Sequence, residues 1–333
     1  MAQTFSELGR IEAIRQLFGG TGYSPFEEPL WFEADAPRDC VVSASALLSE
    51  GVDFNLVYFP LPHLGRKVVL RVSGELHAVL ARPRTLSVTL GVSAKLDFPQ
   101  VKELWEGIVA AAKEQGYAHL SLDLQPSRNG LSIALAATGS HDAAVSDARP
   151  KAQSMDLICV SGALGAAYLG LQALERERIK FEQGSTDRQL LEQYKMLVGA
   201  YLRPELGPQT AAQIVESGLS PAYGYFVTRG LADAVMRLSR DSALGAKIYA
   251  DKIPFESGSV ALGRELGIDP VSAAMNGGDD YQLLFVIPIA QYERFRTEFQ
   301  TFDIIGHLAQ PEVGAVLVTP DGVEFPLSAQ GWK

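Results

Sequence analysis

Apolar positions along this chain follow two periods, and the switches between them outline its elements. Residues 6–18 place Leu8, Ile11, Ile14 and Leu17 or Phe18 at steps of three and four, the spacing of an amphipathic helix. The stretch 19–38, rich in Gly, Pro and Glu, predicts a loop, and 40–48 a strand. Within 63–81, KVVLRV alone reads as a strand. Leu64, Val68, Val72, Leu76, Val79 and Leu80 nevertheless step by three and four, so a helix that tolerates Gly74 is expected. Residues 86–92 alternate as a strand does. The segment 97–116 is a helix with Asp97 as its N-cap, Pro99 in its first turn and Gly116 at its end. Strands follow at 118–124 and 131–138, and the polar run 140–153, with Pro150, reads as a linker.

The pattern restarts at MDLICVSGALGAAYLGLQALERE with a buried strand (157–161), a small-residue turn holding Gly162 and Gly165, and a helix. Further helices are expected at 170–178, 187–201, 208–217, 230–240, 257–266 and 290–299, and strands at 245–250, 281–287, 303–308 and 314–319. VTPDGVEF predicts a hairpin turning at Asp321-Gly322. Strands and helices interleave without strict βαβ regularity. The fold class is therefore α/β (α+β), with two domains at 1–150 and 151–333 rather than one Rossmann sheet.

Composition narrows the function classes. A hydrophobic fraction of 47% over 333 residues supports well-buried cores, and a net charge of −10 argues against a nucleic-acid-binding surface. Local phosphate sites are compatible with that charge. Cys40 and Cys159 form neither a disulfide framework nor a CxxC metal site and read as buried thiols in a reducing compartment. Charges interrupt the apolar pattern of the N-terminus, unlike a signal peptide, and no apolar run is long enough to span a bilayer. A cytoplasmic protein with no membrane partner is expected.

Candidate chemistry is concentrated in two places. NGGDDYQLLF (276–285) sets Asp279 and Asp280 after two glycines and before a core strand. Adjacent carboxylates there suit a hard cation that bridges to phosphates; a solvated turn is the alternative. SGALG (161–165), between strand and helix, suits a phosphate cradle or close helix–sheet packing. The five histidines show no metal-ligand spacing.

NGGDDYQLLF resembles the (S/N)GG(E/D)DY(E/Q)LLF signature of thiamine-monophosphate kinases, members of the superfamily of aminoimidazole ribonucleotide synthetase. LGRIEAIRQLF, LLSEGVDFNLVYFPLPHLGRK, DLICVSGALGAAYLGLQALERE, YLRPE, GHL and AQGW follow in family-like order over nearly the whole chain. The resemblance implies an N-terminal ATP-binding and dimerising domain, a C-terminal α/β domain, and ATP near the dimer interface. It also implies Mg²⁺ held by acids from several segments and transfer of the γ-phosphoryl group of ATP to thiamine monophosphate. By resemblance, Ser45, Arg149, Gly162 and Gly165 serve the nucleotide. Glu75, Asp123, Asp233 and Asp279 serve the metal. Asp53, Asp280 and Trp332 serve the substrate, with Trp332 placed to stack on thiamine's rings. Asp280 and Asp123 carry catalysis, together with Arg229 in place of an expected Asp.

The chain departs from the family pattern at its acids. FEEPLWFEA lacks the expected aspartate pair and offers Glu27 and Glu28; SASALL puts Ala46 where an Asp is usual; GVDF has Asp53 for His. RVSGEL supplies Glu75, SLDL keeps Asp123 but loses two glycines, and VTRG places Arg229 on an expected metal-binding Asp. A cation at a helix start is disfavoured by roughly 0.3–1 kcal/mol, so Arg229 is expected to pair with Asp233 or the nearby acids and replace part of the metal's charge, an exposed arginine being the other reading. Phosphoryl transfer relies on positioning and charge neutralisation. The expectation is thus a thiamine-monophosphate kinase-like protein with impaired or absent turnover. The alternative is a non-catalytic paralogue that binds nucleotide or thiamine phosphate or regulates an active kinase. It would act as a homodimer or as a heterodimer with a paralogue.

Overall fold

The computed structural model describes residues 10–23, 39–184 and 188–329. These form two compact units, one of residues up to His77 plus Ala81–Ala143, the other of Ala78–Leu80 plus Ala144 onward.

In the first unit the elements run α1 (Arg10–Phe18), β1 (Cys40–Ser49), α2 (Leu61–Ala78), β2 (Arg82–Ser93), α3 (Phe98–Glu114), β3 (His119–Ser127) and β4 (Ser132–His141). The sheet order is β1-β4-β2-β3. β4 pairs antiparallel with both β1 and β2, while β2 and β3 run parallel, bridged by α3. The ambiguous 63–81 segment is a helix because Leu64, Val68, Val72 and Leu76 stack on one buried face. That helix and α3 approach closely at two glycines. A Cβ on Gly65 would lie 2.4 Å from the Leu104 carbonyl, and one on Gly107 would lie 2.3 Å from that of Pro62. Trp105, fully buried, donates from Nε1 to the Leu17 carbonyl at 2.8 Å and so ties α1 to α3. The opposite face of β1 is open: Val41 is 58% exposed and Leu47 65%, with Ser43 and Ser45 exposed between them.

The second unit contains α4 (Ala143–Asp147), β5 (Leu157–Val160), α5 (Ala166–Glu182), α6 (Arg188–Gln193), α7 (Lys195–Leu202), α8 (Thr210–Glu216), β6 (Tyr223–Val227), α9 (Leu231–Ser242), β7 (Gly245–Tyr249), α10 (Ser259–Leu266), α11 (Pro270–Asn276), β8 (Gln282–Ile287), α12 (Tyr292–Glu298), β9 (Asp303–Ala309), β10 (Ala315–Val318) and β11 (Glu324–Pro326). Seven strands are ordered β11-β10-β7-β9-β5-β8-β6. Only β7 and β10 pair in parallel. Ile158, Val160, Leu284 and Val286 from the sheet centre pack with Leu231, Val235 and Leu238 of α9 in one buried cluster. Leu169 and Ala173 of α5 pack with Leu197 and Leu262 in another. Gly170 lets α5 and α7 touch, since a Cβ there would fall 2.0 Å from the Leu197 carbonyl.

The structure departs from the sequence reading in five places. The helix expected at 187–201 is two, broken at Tyr194, and the helix expected from 170 begins at Ala166. β6 and α11 were absent from the expected set. The expected linker 140–153 contains the end of β4 and the short α4. The hairpin at Asp321-Gly322 pairs Val318 with Glu324 as expected.

Candidate functional site

NGGDDYQLLF starts at the end of α11 and finishes inside β8. Asp269 caps α11, accepting the Ser272 amide at 2.8 Å, and Pro270 opens its first turn. After Asn276 the chain enters left-handed backbone at Gly278 (φ 82°), Asp279 (φ 61°) and Tyr281 (φ 56°). At the two non-glycine positions such a conformation costs on the order of 1–3 kcal/mol each and persists only where the surroundings impose it. Here the end of β6 imposes it. The Asp279 amide donates to the Thr228 carbonyl at 3.0 Å and the Tyr281 amide to that of Val227 at 3.0 Å. The buried Tyr281 ring meets Phe226 edge-on at 5.3 Å. A Cβ on Gly278 would come within 2.9 Å of the Thr228 carbonyl, so this turn has room only for glycine.

Asp280 points inward and is only 7% exposed. Its carboxylate accepts the Gly165 amide at 2.9 Å and the Ala167 amide at 3.4 Å. It thereby caps α5, whose own N-cap residue, Gly165, has no side chain to do so. The positive end of the helix favours the anion. Burial works against it and pushes the carboxyl up to about 7, the two amide bonds pulling it down and the charge of Asp279 adding to the rise. The donors that SGALG was expected to offer a phosphate are thus engaged by the protein's own aspartate. Gly165 has a packing reason too: its φ is 76°, and a Cβ would lie 2.7 Å from the Ala274 nitrogen.

A second link joins the same two motifs. Ser161 donates from Oγ to Gln282 Oε1 at 2.7 Å and accepts the Leu283 amide at 2.9 Å. Gln282 Nε2 donates to the Asp280 carbonyl at 3.3 Å. Gly162 lies under this side chain, 2.8 Å from a would-be Cβ to Gln282 Oε1.

The remaining expected site residues have the following surroundings. Asp233, 4% exposed, forms its ion pair with Arg237, Nε to Oδ2 3.0 Å, and not with Arg229. Arg237 also donates to the Phe226 carbonyl at 3.3 Å and lies over the Tyr225 ring at 5.3 Å. Arg229 is exposed and makes no ion pair among the described residues, which corrects the expectation that its guanidinium holds the acids together. The physical reason is its place: it precedes Gly230, the N-cap of α9, where the helix field repels a cation, whereas Arg237 sits one turn beyond Asp233. Arg149 donates from Nε to the Ala222 carbonyl at 2.6 Å and covers the Tyr223 ring at 4.7 Å. In the first unit, Ser45 lies on the open face of β1 opposite Ala136, with Ala46 beside it opposite Leu135. Asp53 Oδ2 accepts the Ser49 amide at 2.7 Å, Glu75 faces Arg71 at 3.7 Å, and Asp123 accepts from Gln125 at 2.7 Å. Trp332, Glu27 and Glu28 lie outside the described residues. Among the described residues no group of three or more His, Cys, Asp or Glu side chains gathers so as to hold a metal ion.

Sequence reasoning passed over Ser161, Gln282 and Arg237. Ser161 and Gln282 were inside the quoted motifs, and Arg237 stands four residues after Asp233 on the same helix face.

No family model matches the chain. The thiamine-monophosphate kinase of Rhodopirellula baltica is 24% identical over 281 residues, 84% of this chain and 79% of that protein. The structure of AaThiL complexed with AMPPCP and TMP superposes with a TM-score of 0.71 at 21% identity, covering 96% of each chain. Hydrogenase maturation protein HypE in complex with ATP gives 0.68 at 18% identity, covering 95% of this chain and 91% of that one. The architecture is that of the aminoimidazole ribonucleotide synthetase-like fold. The sequence of the chain is similar to those of thiamine-monophosphate kinases, at 24% identity to that of Rhodopirellula baltica, 25% to that of Aquifex aeolicus and 26% to that of Pyrococcus horikoshii.

Proposed function

We propose that this chain is a thiamine-monophosphate kinase-like protein that binds ATP and thiamine monophosphate and is impaired in phosphoryl transfer between them. The names of its relatives, and the ligands named for AaThiL and HypE, support the binding half of this reading. The impairment rests on one observation: two buried acids of the second unit expected to serve metal and substrate are already committed. Asp280 caps α5 and Asp233 is paired with Arg237. Mg²⁺, if bound, would supply neutralisation of the phosphate charge. The described residues do not fit it, since they gather no ligand set.

The test is direct. Purified protein is given ATP, thiamine monophosphate and Mg²⁺, thiamine diphosphate is followed by chromatography, and both ligands are titrated calorimetrically with and without Mg²⁺. Binding without turnover is expected. Turnover that disappears in Asp280→Asn would overturn the impairment.

A partner-binding role has its own support in the open face of β1, where Val41 and Leu47 stand exposed on a sheet whose other face is buried. A second copy, or an active paralogue in the cytoplasm, would cover it. Light scattering of the purified chain separates the homodimer from a monomer that awaits another subunit.

A further inference from the structure

We propose that Gln282, held by Ser161, is a positioning residue for the ligand site at Asp279–Asp280; this rests on the reading that the chain binds thiamine monophosphate or ATP there. The peptide between Asp280 and Tyr281 is the weak point of the turn. It is flanked by left-handed backbone at Asp279 (φ 61°) and Tyr281 (φ 56°), neither of which is glycine. The Tyr281 amide, bonded to the Val227 carbonyl at 3.0 Å, anchors the N–H side of this planar peptide. Gln282 Nε2 anchors its carbonyl side at 3.3 Å, the second of the two bonds that hold the strained peptide. An amide side chain can rotate, and the Ser161 hydroxyl prevents it by donating to Oε1 at 2.7 Å while it is itself fixed by the Leu283 amide at 2.9 Å. The absence of a side chain at Gly162 lets the amide lie flat across the turn.

The two ends of the side chain therefore do different work. The acceptor end reads Ser161 and the donor end holds the Asp280 carbonyl. With the donor end removed, the Asp280–Tyr281 peptide keeps only the Tyr281–Val227 bond against its left-handed flanks, and its relaxation toward ordinary backbone carries the Asp280 carboxylate off the start of α5 and displaces Asp279 with it. Gln282 touches neither carboxylate, so its effect on a ligand is transmitted through the turn.

The experiment uses the full chain and two probes, thiamine monophosphate and AMPPCP, titrated calorimetrically. Gln282→Leu conserves volume and removes both ends; Gln282→Glu keeps the acceptor for Ser161 and loses the donor. Both are expected to weaken the affinity for at least one probe about tenfold, the worth of one half-buried hydrogen bond. Ser161→Ala, a smaller change that serves if either Gln282 variant fails to fold, is expected to give a lesser loss in the same direction. The discriminating readout is a double-mutant cycle with Asp279→Asn. A residue acting through the turn loses its effect on affinity once Asp279 is neutralised, whereas a merely structural residue weakens binding equally in both backgrounds. Wild-type affinity in Gln282→Leu and Gln282→Glu, or full additivity with Asp279→Asn, overturns the proposal alone. A wild-type chain that binds neither probe overturns the binding reading beneath it.

Discussion

Asp280 offers the sharpest test of the site's electrostatics, because replacing it by asparagine changes charge with little change in shape. In Asp280→Asn the side-chain oxygen can still accept the Gly165 amide at the 2.9 Å position, while the new NH₂ faces the longer 3.4 Å contact to Ala167. Losing that contact and the charge–dipole attraction costs about 1–2 kcal/mol. Against this stands the burial of the charge. The carboxyl sits at about 7 in the fold against an ordinary 3.8. At roughly 1.4 kcal/mol for each tenfold, the ionised form is disfavoured by up to about 4 kcal/mol. The raised value fixes the sign. The folded protein binds this proton more tightly than the unfolded chain, so the group's contribution is whole below about pH 4 and is lost as pH rises through about 7. Urea unfolding of both proteins at about pH 5 and about pH 8.5 should therefore show the variant gaining on the wild type as pH rises, by at most about 3 kcal/mol. Parallel curves, or a wild type that gains on the variant at high pH, would show that the start of α5 outweighs desolvation and holds the carboxylate ionised.

Four further outcomes follow from other parts of the structure. Arg237→Met removes the ion pair of the buried Asp233 and should cost about 3–5 kcal/mol in urea unfolding, whereas Arg229→Ala should stay within about 0.5 kcal/mol. His77, buried against Gln115 at 2.8 Å, is held below the ordinary histidine value by desolvation, the bond to Gln115 opposing this. Its contribution is present above about pH 6.5 and is lost as pH falls, so the urea midpoint should drop between about pH 7.5 and pH 5.5, and less so in His77→Gln. Gly170→Ala forces α5 away from the Leu197 carbonyl and should destabilise by about 1–3 kcal/mol, read as a lower Tm. Leu47→Glu should abolish any self-association through β1 in light scattering while leaving the far-UV circular dichroism unchanged.

The elements that were legible in the sequence are those whose local signals agree with one another. α3 has its Asp97 cap, the reciprocal bond of Gln100 back to the Asp97 amide, and eight buried positions on one face. α2 was legible only because Leu64, Val68, Val72 and Leu76 outweighed the strand-like KVVLRV. β6 was not legible, because YGYFV is short, carries a glycine, and takes its strand form from pairing with β8 in the register Val227–Gln282 to Tyr223–Val286. α11 had the Asp269-Pro270 start signal but spans seven residues, too few for a period to show. At the site, Asp280 stood out in the sequence but the direction of its side chain did not, because the nearer donor lies 115 residues earlier in the chain, at the start of α5. Arg229 and Arg237 stand at equal distances from Asp233 in sequence. Only the position of the N-cap at Gly230 decides between them, leaving Arg229 before the helix and Arg237 on it.

That last distinction also explains how a family-like NGGDDYQLLF coexists with an altered VTRG beside it. The bonds between the two segments are main-chain bonds, from the Asp279 and Tyr281 amides to the carbonyls of Thr228 and Val227. Such bonds do not depend on the side chain at 229, and an exposed arginine there leaves them whole. The side-chain bonds of the turn run the other way, to SGALG, through Asp280 to Gly165 and Ala167 and through Gln282 to Ser161. SGALG and GGDD, each weak as a motif when read alone, are two halves of one hydrogen-bonded unit. Substitutions within that unit should disturb fold and ligand binding together, while substitutions at Arg229 should leave the fold undisturbed.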